Sequence, residues 1–245
     1  MTAELFLEDS YRCECAARIV EISGEKVILD QTVFYPTGGG QECDTGTLEQ
    51  DGRLFDVYQV KREGGRIVHY VKEPEGLAAG PVTARIDWQR RYGMMRLHTS
   101  LHVLAAVVYE KYGALCTGNQ IYPERARIDF NQLHDLTPAE LDEIVAETNR
   151  VIAADHPISY RTIGREEAER IPGIIKTVVS LLPLSIREVR LVSIDSVDEQ
   201  ACGGTHVKRT GEIGRLEITD VKSKGKNNKR LEVRVLPLNV ENTQG

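Results

Sequence analysis

Met94–Glu110 reads "MMRLHTSLHVLAAVVYE", an apolar run with the character of a buried helix that nonetheless carries two histidines, His98 and His102. Their spacing of four residues is about one helical turn, so both imidazoles share one helix face, with side chains close enough to meet. Two imidazoles so placed can share a metal ion. Alternatively each is a core or boundary histidine hydrogen-bonded to backbone, and the pair alone admits both readings. The stretch also marks where the patterning of the chain changes.

Upstream of it, residues 1 to about 73 offer short alternating segments such as "KVILD" (Lys26–Asp30), "LFDVYQV" (Leu54–Val60) and "RIVHYV" (Arg66–Val71), separated by Gly-containing turns. This pattern predicts a small β-barrel or sandwich. "KEPEGLAAGP" (Lys72–Pro81) reads as a loop, and one more strand, "VTARIDW" (Val82–Trp88), precedes the histidine helix. A domain boundary is expected between Trp88 and Tyr92, giving a β-barrel domain over 1-89 and a second domain over 90-245. The second half mixes elements. In "TPAELDEIVAETNRVIAAD" (Thr137–Asp155), Thr137 is placed as N-cap, Pro138 at the first helical position and Glu140 as the partner in a capping box. Leu141, Ile144, Val145, Thr148 and Ile152 keep helical spacing, which buries one face against a sheet. Strands are expected over "ARIDF" (Ala126–Phe130), "VRLVSI" (Val189–Ile194), "EIGRLEITDV" (Glu212–Val221) and "RLEVRVLPL" (Arg230–Leu238). The fold class predicted is α+β.

A length of 245 residues suits one large domain or two modest ones. No apolar run approaches the ~18 residues a membrane helix requires. The N-terminus "MTAELFLEDSYRCE" is acidic where a secretory signal is basic and then apolar, so a cytoplasmic protein is expected. Five cysteines, Cys13, Cys15, Cys43, Cys116 and Cys202, are an odd number and do not suggest a disulfide framework, which leaves them as core fillers or metal ligands. A formal charge of -6 argues against indiscriminate nucleic-acid binding, although local charge can still be positive where a partner docks.

A partner for the two histidines lies in "EQACGGTHVKRTGEIG" (Glu199–Gly214), where Cys202 stands four residues before His206. Zinc favours tetrahedral sites built from thiolate and imidazole, commonly two ligands from each of two segments. His98, His102, Cys202 and His206 fit that pattern; the alternative is two unrelated pairs that share a spacing. The two glycines between Cys202 and His206 suit a loop wrapped around an ion better than a helix. His69, His134 and His156 have no such companions and read as surface or structural.

"YPTGGGQ" (Tyr35–Gln41) is either a tight turn after Pro36 or a loop that approaches a ligand or another chain. It lacks the Lys-Ser/Thr ending of a P-loop. The expectation is that Gly38, Gly39 and Gly40 form a loop leaning over the metal pocket, with Thr37 and Gln41 as polar contacts. Two basic clusters are candidates for nucleic acid: Arg85, Arg90, Arg91 and Arg96, and "VKSKGKNNKRLEVR" (Val221–Arg234), with six Lys or Arg against one Glu. The second is the stronger, as a hairpin whose Lys222, Lys224, Lys226, Lys229 and Arg230 contact phosphates without reading sequence. The alternative is a solvated hairpin whose lysines protect an edge from aggregation.

"HTSLH" followed about a hundred residues later by "CGGTH", with "TGEIG" just beyond, resembles the editing domain of alanyl-tRNA synthetases and of the free-standing alanyl-tRNA editing proteins called AlaX. "DQTVFYPTGGGQECDTGTL" (Asp30–Leu48) is similar to the glycine-rich segment of the β-barrel domain that precedes this editing domain in the synthetase and in medium-length AlaX proteins, and that the shortest AlaX proteins lack. With neither an upstream aminoacylation domain nor a long C-terminal extension, the expectation is a trans-acting editor that does not charge tRNA itself.

The resemblance implies hydrolysis of the ester joining serine or glycine to tRNA(Ala), with one zinc ion per chain. Zinc can lower the pKa of bound water to about 7 and polarise a carbonyl. Four protein ligands close the zinc shell, however, so either one is displaced or the metal orients the substrate while another group activates water. Two alternatives stand beside this reading: a non-catalytic zinc-stabilised RNA-binding module, and a metallopeptidase, which "HTSLH" disfavours because no glutamate separates its histidines. Size cannot exclude alanine from a pocket that admits serine. A hydrogen bond to the serine hydroxyl can discriminate, since leaving a buried polar group unpaired costs about 1 to 3 kcal/mol. Thr117 in "YGALCTGNQ" (Tyr112–Gln120) is the candidate, with Thr37 next. Oligomeric state is not indicated.

Overall fold

Alternating side chains in the first half build a closed barrel, not a sandwich. The computed structural model describes residues 2–170, 187–225 and 227–237 and divides into two units, Met1–Met94 and Met95–Gly245. In the first unit, β1 (Ala3–Glu4) and a single helical turn, α1 (Leu5–Glu8), precede seven strands: β2 (Glu14–Ser23), β3 (Lys26–Leu29), β4 (Gln31–Thr32), β5 (Gly46–Gln50), β6 (Arg53–Glu63), β7 (Arg66–Val71) and β8 (Gly80–Ile86). Six strands close in the order β2-β3-β7-β6-β5-β8. Every pairing is antiparallel, and closure removes the edges that would template aggregation. Strand β2 shows the cause: Cys15, Ala17 and Ile19 are buried while Glu14, Ala16 and Arg18 alternate outward. Inward residues such as Ile19, Val27, Leu48, Val57, Ile67 and Ala84 share one core with Phe34. Gly46 is required where β5 meets β8, because a Cβ there would lie 2.1 Å from the Arg85 carbonyl oxygen.

Helix α2 (Trp88–Tyr112) follows. In its first turn Arg91 is fully buried. Its Nε donates to both carboxylate oxygens of Asp44 at 3.0 and 3.1 Å, and its Nη atoms donate to the carbonyls of Ser10 and Val33 at 2.9 and 2.6 Å. A guanidinium taken out of water needs this full set of acceptors. Arg91 therefore belongs to the core of the first unit, and its expected place in a nucleic-acid-binding cluster is corrected.

From Leu97 to Leu104 every residue of α2 is buried, the polar His98, Thr99, Ser100 and His102 among them. The second unit continues with β9 (Cys116–Ile121), β10 (Ala126–Phe130), α3 (Pro138–Ala153), β11 (Ile158–Gly164), α4 (Arg165–Arg170), β12 (Glu188–Ile194), β13 (Asp198–Ala201), a 3-10 turn at Thr210–Ile213, β14 (Arg215–Ser223) and β15 (Lys229–Leu236). They form a four-stranded sheet, β14-β15-β10-β9, and a three-stranded one, β11-β12-β13, both antiparallel. The fold is α+β. The capping box of Thr137 and Glu140 is present. Ile144, Thr148, Val151 and Ile152 form the buried face of α3, and Asn149 fixes that helix to β14 by accepting from the Leu216 N–H at 2.8 Å and donating to its carbonyl at 2.9 Å. Among the described residues, no helix is long and apolar enough to cross a membrane.

Candidate functional site

Helical periodicity sets His98 and His102 one turn apart on α2, with ring centroids separated by 5.3 Å. The segment after β13 brings Cys202 and His206 to them. The His98 and His206 rings lie 4.3 Å apart, those of His102 and His206 4.7 Å. Cys202 Sγ is 3.4 Å from His98 Nε2 and 3.3 Å from His206 Nε2. One ligand atom from each of the four residues falls within 4.8 Å of the others, so the two half-sites converge. All three histidines are buried and Cys202 is partly exposed.

Residues that the sequence reading did not single out hold the Cys202 loop. Arg190 on β12 donates through Nη1 to the carbonyls of Cys202 and Gly204, each at 3.0 Å. Its guanidinium lies over the Tyr160 ring at 4.1 Å, and the Tyr160 hydroxyl donates to the His206 carbonyl at 3.4 Å. The Gly204 N–H points at Cys202 Sγ at 3.4 Å. Asp198 Oδ2 stands 3.9 Å from His102 Nδ1, and Thr99 Oγ1 is 3.1 Å from His206 Nδ1. Of these, Thr99 and Gly204 carried a usable signal, lying inside "HTSLH" and "CGGTH".

Burial, reinforced by neighbouring imidazoles and by Arg190, holds His98 and His206 well below the usual histidine pKa, so both are neutral with a lone pair to offer. Burial pushes the Cys202 thiol up, while the Gly204 N–H and Arg190 pull the other way; a bound cation would favour the thiolate. Three imidazoles and one sulfur are a zinc-type donor set. Zn–N bonds of about 2.0 Å and Zn–S bonds of about 2.3 Å at tetrahedral angles separate N from S by about 3.5 Å, close to the Sγ–Nε2 distances found. The residues present fit that metal.

The other predicted residues are placed as follows. Gly38 and Gln41 exchange backbone hydrogen bonds at 3.1 and 2.9 Å, and Gly39 and Gly40 adopt φ of 57° and 83° between them. The glycines thus make a two-residue turn whose left-handed backbone favours glycine. Thr37 is exposed and Gln41 buried. Thr117 lies exposed on β9, where its hydroxyl donates to the Asp129 carbonyl at 3.2 Å. The basic hairpin forms from β14 and β15. Lys222 pairs with Asp220 and Glu232 at 3.0 and 2.6 Å, Lys229 with Asp135 at 2.7 Å and Arg230 with Asp129 at 2.6 Å. Lys224 is exposed, and Lys226 lies outside the described residues. In the upstream cluster Arg85 pairs with Glu14, Arg90 with Glu42, and Arg96 donates to the carbonyls of Ile213 and Leu236. His69 is a buried structural residue between Thr32 and the Val27 carbonyl.

Two family models match the chain: "Threonyl and Alanyl tRNA synthetase second additional domain" over residues 189–232, a span that contains Cys202 and His206, and "tRNA synthetases class II (A)" over residues 6–90. Both models are named for aminoacyl-tRNA synthetases, and that is the class of protein the chain is similar to over these two spans. The alanine–tRNA ligase of Pyrobaculum calidifontis is 39% identical over 227 residues, 90% of this chain and 25% of that enzyme. The alanyl-tRNA editing protein AlaX-M of Saccharolobus solfataricus is 45% identical over 240 residues, 97% of this chain and 100% of the relative. AlaX-M of Methanosarcina acetivorans is 39% identical over 240 residues, 94% and 98% of the two chains. Likeness of this order along the whole length means that the chain belongs to the AlaX-M family of alanyl-tRNA editing proteins.

Proposed function

We propose that this protein is a trans-acting hydrolase that deacylates mischarged tRNA(Ala), chiefly that carrying serine, and that His98, His102, Cys202 and His206 hold one zinc ion per chain. The observation that carries the reading is the convergence of three imidazoles and one thiol, with donor atoms within 4.8 Å of one another, in a chain whose relatives are named as alanyl-tRNA editing proteins. In the reaction water adds to the ester carbonyl, the bond to the ribose oxygen breaks, and that oxygen takes up a proton, giving free amino acid and uncharged tRNA. Bound at the centre by all four residues, zinc would orient and polarise the ester carbonyl; a lowered water pKa would require one of the four to give way to water.

The chain's own residues supply position. Helix α2 fixes two imidazoles at one-turn spacing, Arg190 and Tyr160 curve the loop that presents Cys202 and His206, and burial keeps water from three of the four ligands. The partly exposed side of Cys202 is our choice for the approach of the ester. We assign recognition of the serine hydroxyl to Thr117. Phosphate contact is assigned to the β14–β15 hairpin through Lys224 and the half-exposed Lys222, with Lys226, Lys229 and Arg230 contributing field; Lys222 would exchange Glu232 for phosphate. The compartment is the cytoplasm, where charged tRNA is used.

The test is deacylation. Zinc-loaded protein should release free serine from seryl-tRNA(Ala) and spare alanyl-tRNA(Ala). A metallopeptidase would cut protein substrates, and an RNA-binding module would only retard RNA on a gel. Survival of seryl-tRNA(Ala) in the presence of stoichiometric zinc-loaded protein overturns the proposal.

A further inference from the structure

Thr99 follows His98 on α2 and is fully buried. A hydroxyl offers one proton and two lone pairs, and three groups surround this one: the Met95 carbonyl at 2.9 Å, the Val207 N–H at 3.3 Å and His206 Nδ1 at 3.1 Å. A carbonyl only accepts, so the contact with Met95, four residues back along the helix, takes the hydroxyl proton in the usual manner of a helical threonine. A backbone N–H only donates, so Val207 occupies one lone pair. The contact left over has an oxygen lone pair facing His206 Nδ1, and it is satisfied only if Nδ1 carries the imidazole proton.

We infer that Thr99 is a positioning residue that selects the Nδ1–H tautomer of His206 and so presents a bare Nε2 to the centre. A neutral imidazole has a single proton. Placing it on Nδ1 leaves the lone pair of Nε2 on the side where Cys202 Sγ lies 3.3 Å away. The Val207 contact adds orientation, because the same oxygen grips the backbone of the following residue. One side chain of α2 thus sets both the protonation and the angle of a ligand that comes from a distant segment, the task that outer hydrogen bonds perform for metal-bound histidines. The inference rests on the reading of His206 as a ligand.

Long-range proton–nitrogen correlation spectra of the full zinc-loaded chain report which ring nitrogen of His206 is protonated. The expected result is a proton on Nδ1, and a proton on Nε2 overturns the inference. Zinc affinity, measured by competition with a chromophoric chelator, should fall about 10- to 100-fold in Thr99→Val, which keeps shape and loses the hydroxyl, and return to the wild-type value in Thr99→Ser. Wild-type affinity in Thr99→Val overturns it as well. His206→Ala, measured alongside, separates the two readings. Loss of affinity in His206→Ala with none in Thr99→Val defeats the positioning role alone, whereas undiminished affinity in His206→Ala removes His206 from the ligand set.

Discussion

Arg190 and Cys202 hold each other twice: Arg190 Nη1 donates to the Cys202 carbonyl at 3.0 Å, and the Cys202 N–H donates back to the Arg190 carbonyl at 3.1 Å. The same Nη1 reaches the Gly204 carbonyl at 3.0 Å, so a side chain from outside the loop fixes its curvature over two glycines that impose little of their own. A planar guanidinium can serve both carbonyls while lying over Tyr160; the point charge of a lysine does so poorly. Arg190→Lys is predicted to keep the charge yet weaken zinc binding about 10-fold, as outer-shell changes do. Chelator competition reads this directly, and wild-type affinity in both Arg190→Lys and Arg190→Met would mean that the backbone alone shapes the loop.

Discrimination between serine and alanine is predicted to depend on a hydroxyl. Thr117→Val should retain zinc and fold while narrowing the difference between seryl- and alanyl-tRNA(Ala) hydrolysis by about 5- to 150-fold, the equivalent of about 1 to 3 kcal/mol. In the structure the Thr117 hydroxyl donates to the Asp129 carbonyl, so it must rotate to serve a substrate. Deacylation rates for both substrates unchanged by the substitution would remove Thr117 from this role.

Acid stability should carry the mark of His69. Burial lowers its pKa to about 4, against about 6.5 for a solvated histidine. Between those values the unfolded chain takes up a proton that the folded chain does not. The contribution of His69 is therefore complete above about pH 6.5 and is lost as pH falls toward 4, by an amount of about 3 kcal/mol at most. Denaturant titrations at pH 7 and pH 4.5 should show a smaller acid loss in His69→Gln than in the wild type, even though the variant starts less stable. Equal losses would exclude His69 as the source.

Much of this was legible in the sequence where side-chain period and burial coincide. "KVILD" and "RIVHYV" led to barrel strands although each buries three consecutive residues instead of alternate ones, and Thr137-Pro138-Glu140 led to a capped helix because local chemistry determines the cap. Strands β9, β11 and β13 were not read. β9, "CTGNQI", is polar and contains glycine, β11 buries only Ile158 and Ile163, and β13 spans four residues; pairing with neighbours forms them, not their own pattern. The two halves of the His/Cys group showed themselves through spacing. Arg190 and Tyr160 did not, since an arginine clamp on two carbonyls and a tyrosine beneath it have no periodicity. Arg91 looked like surface charge because a sequence displays a cation and not the buried Asp44 that faces it.

The most direct test of the central claim is zinc per chain, measured by elemental analysis on the same samples whose release of serine from seryl-tRNA(Ala) is timed. One zinc per wild-type chain is expected, with a joint fall of zinc content and activity in Cys202→Ala and in His98→Ala, because ligands drawn from two segments act as a set. Full zinc content in both variants, or undiminished serine release from zinc-free wild-type protein, would contradict it.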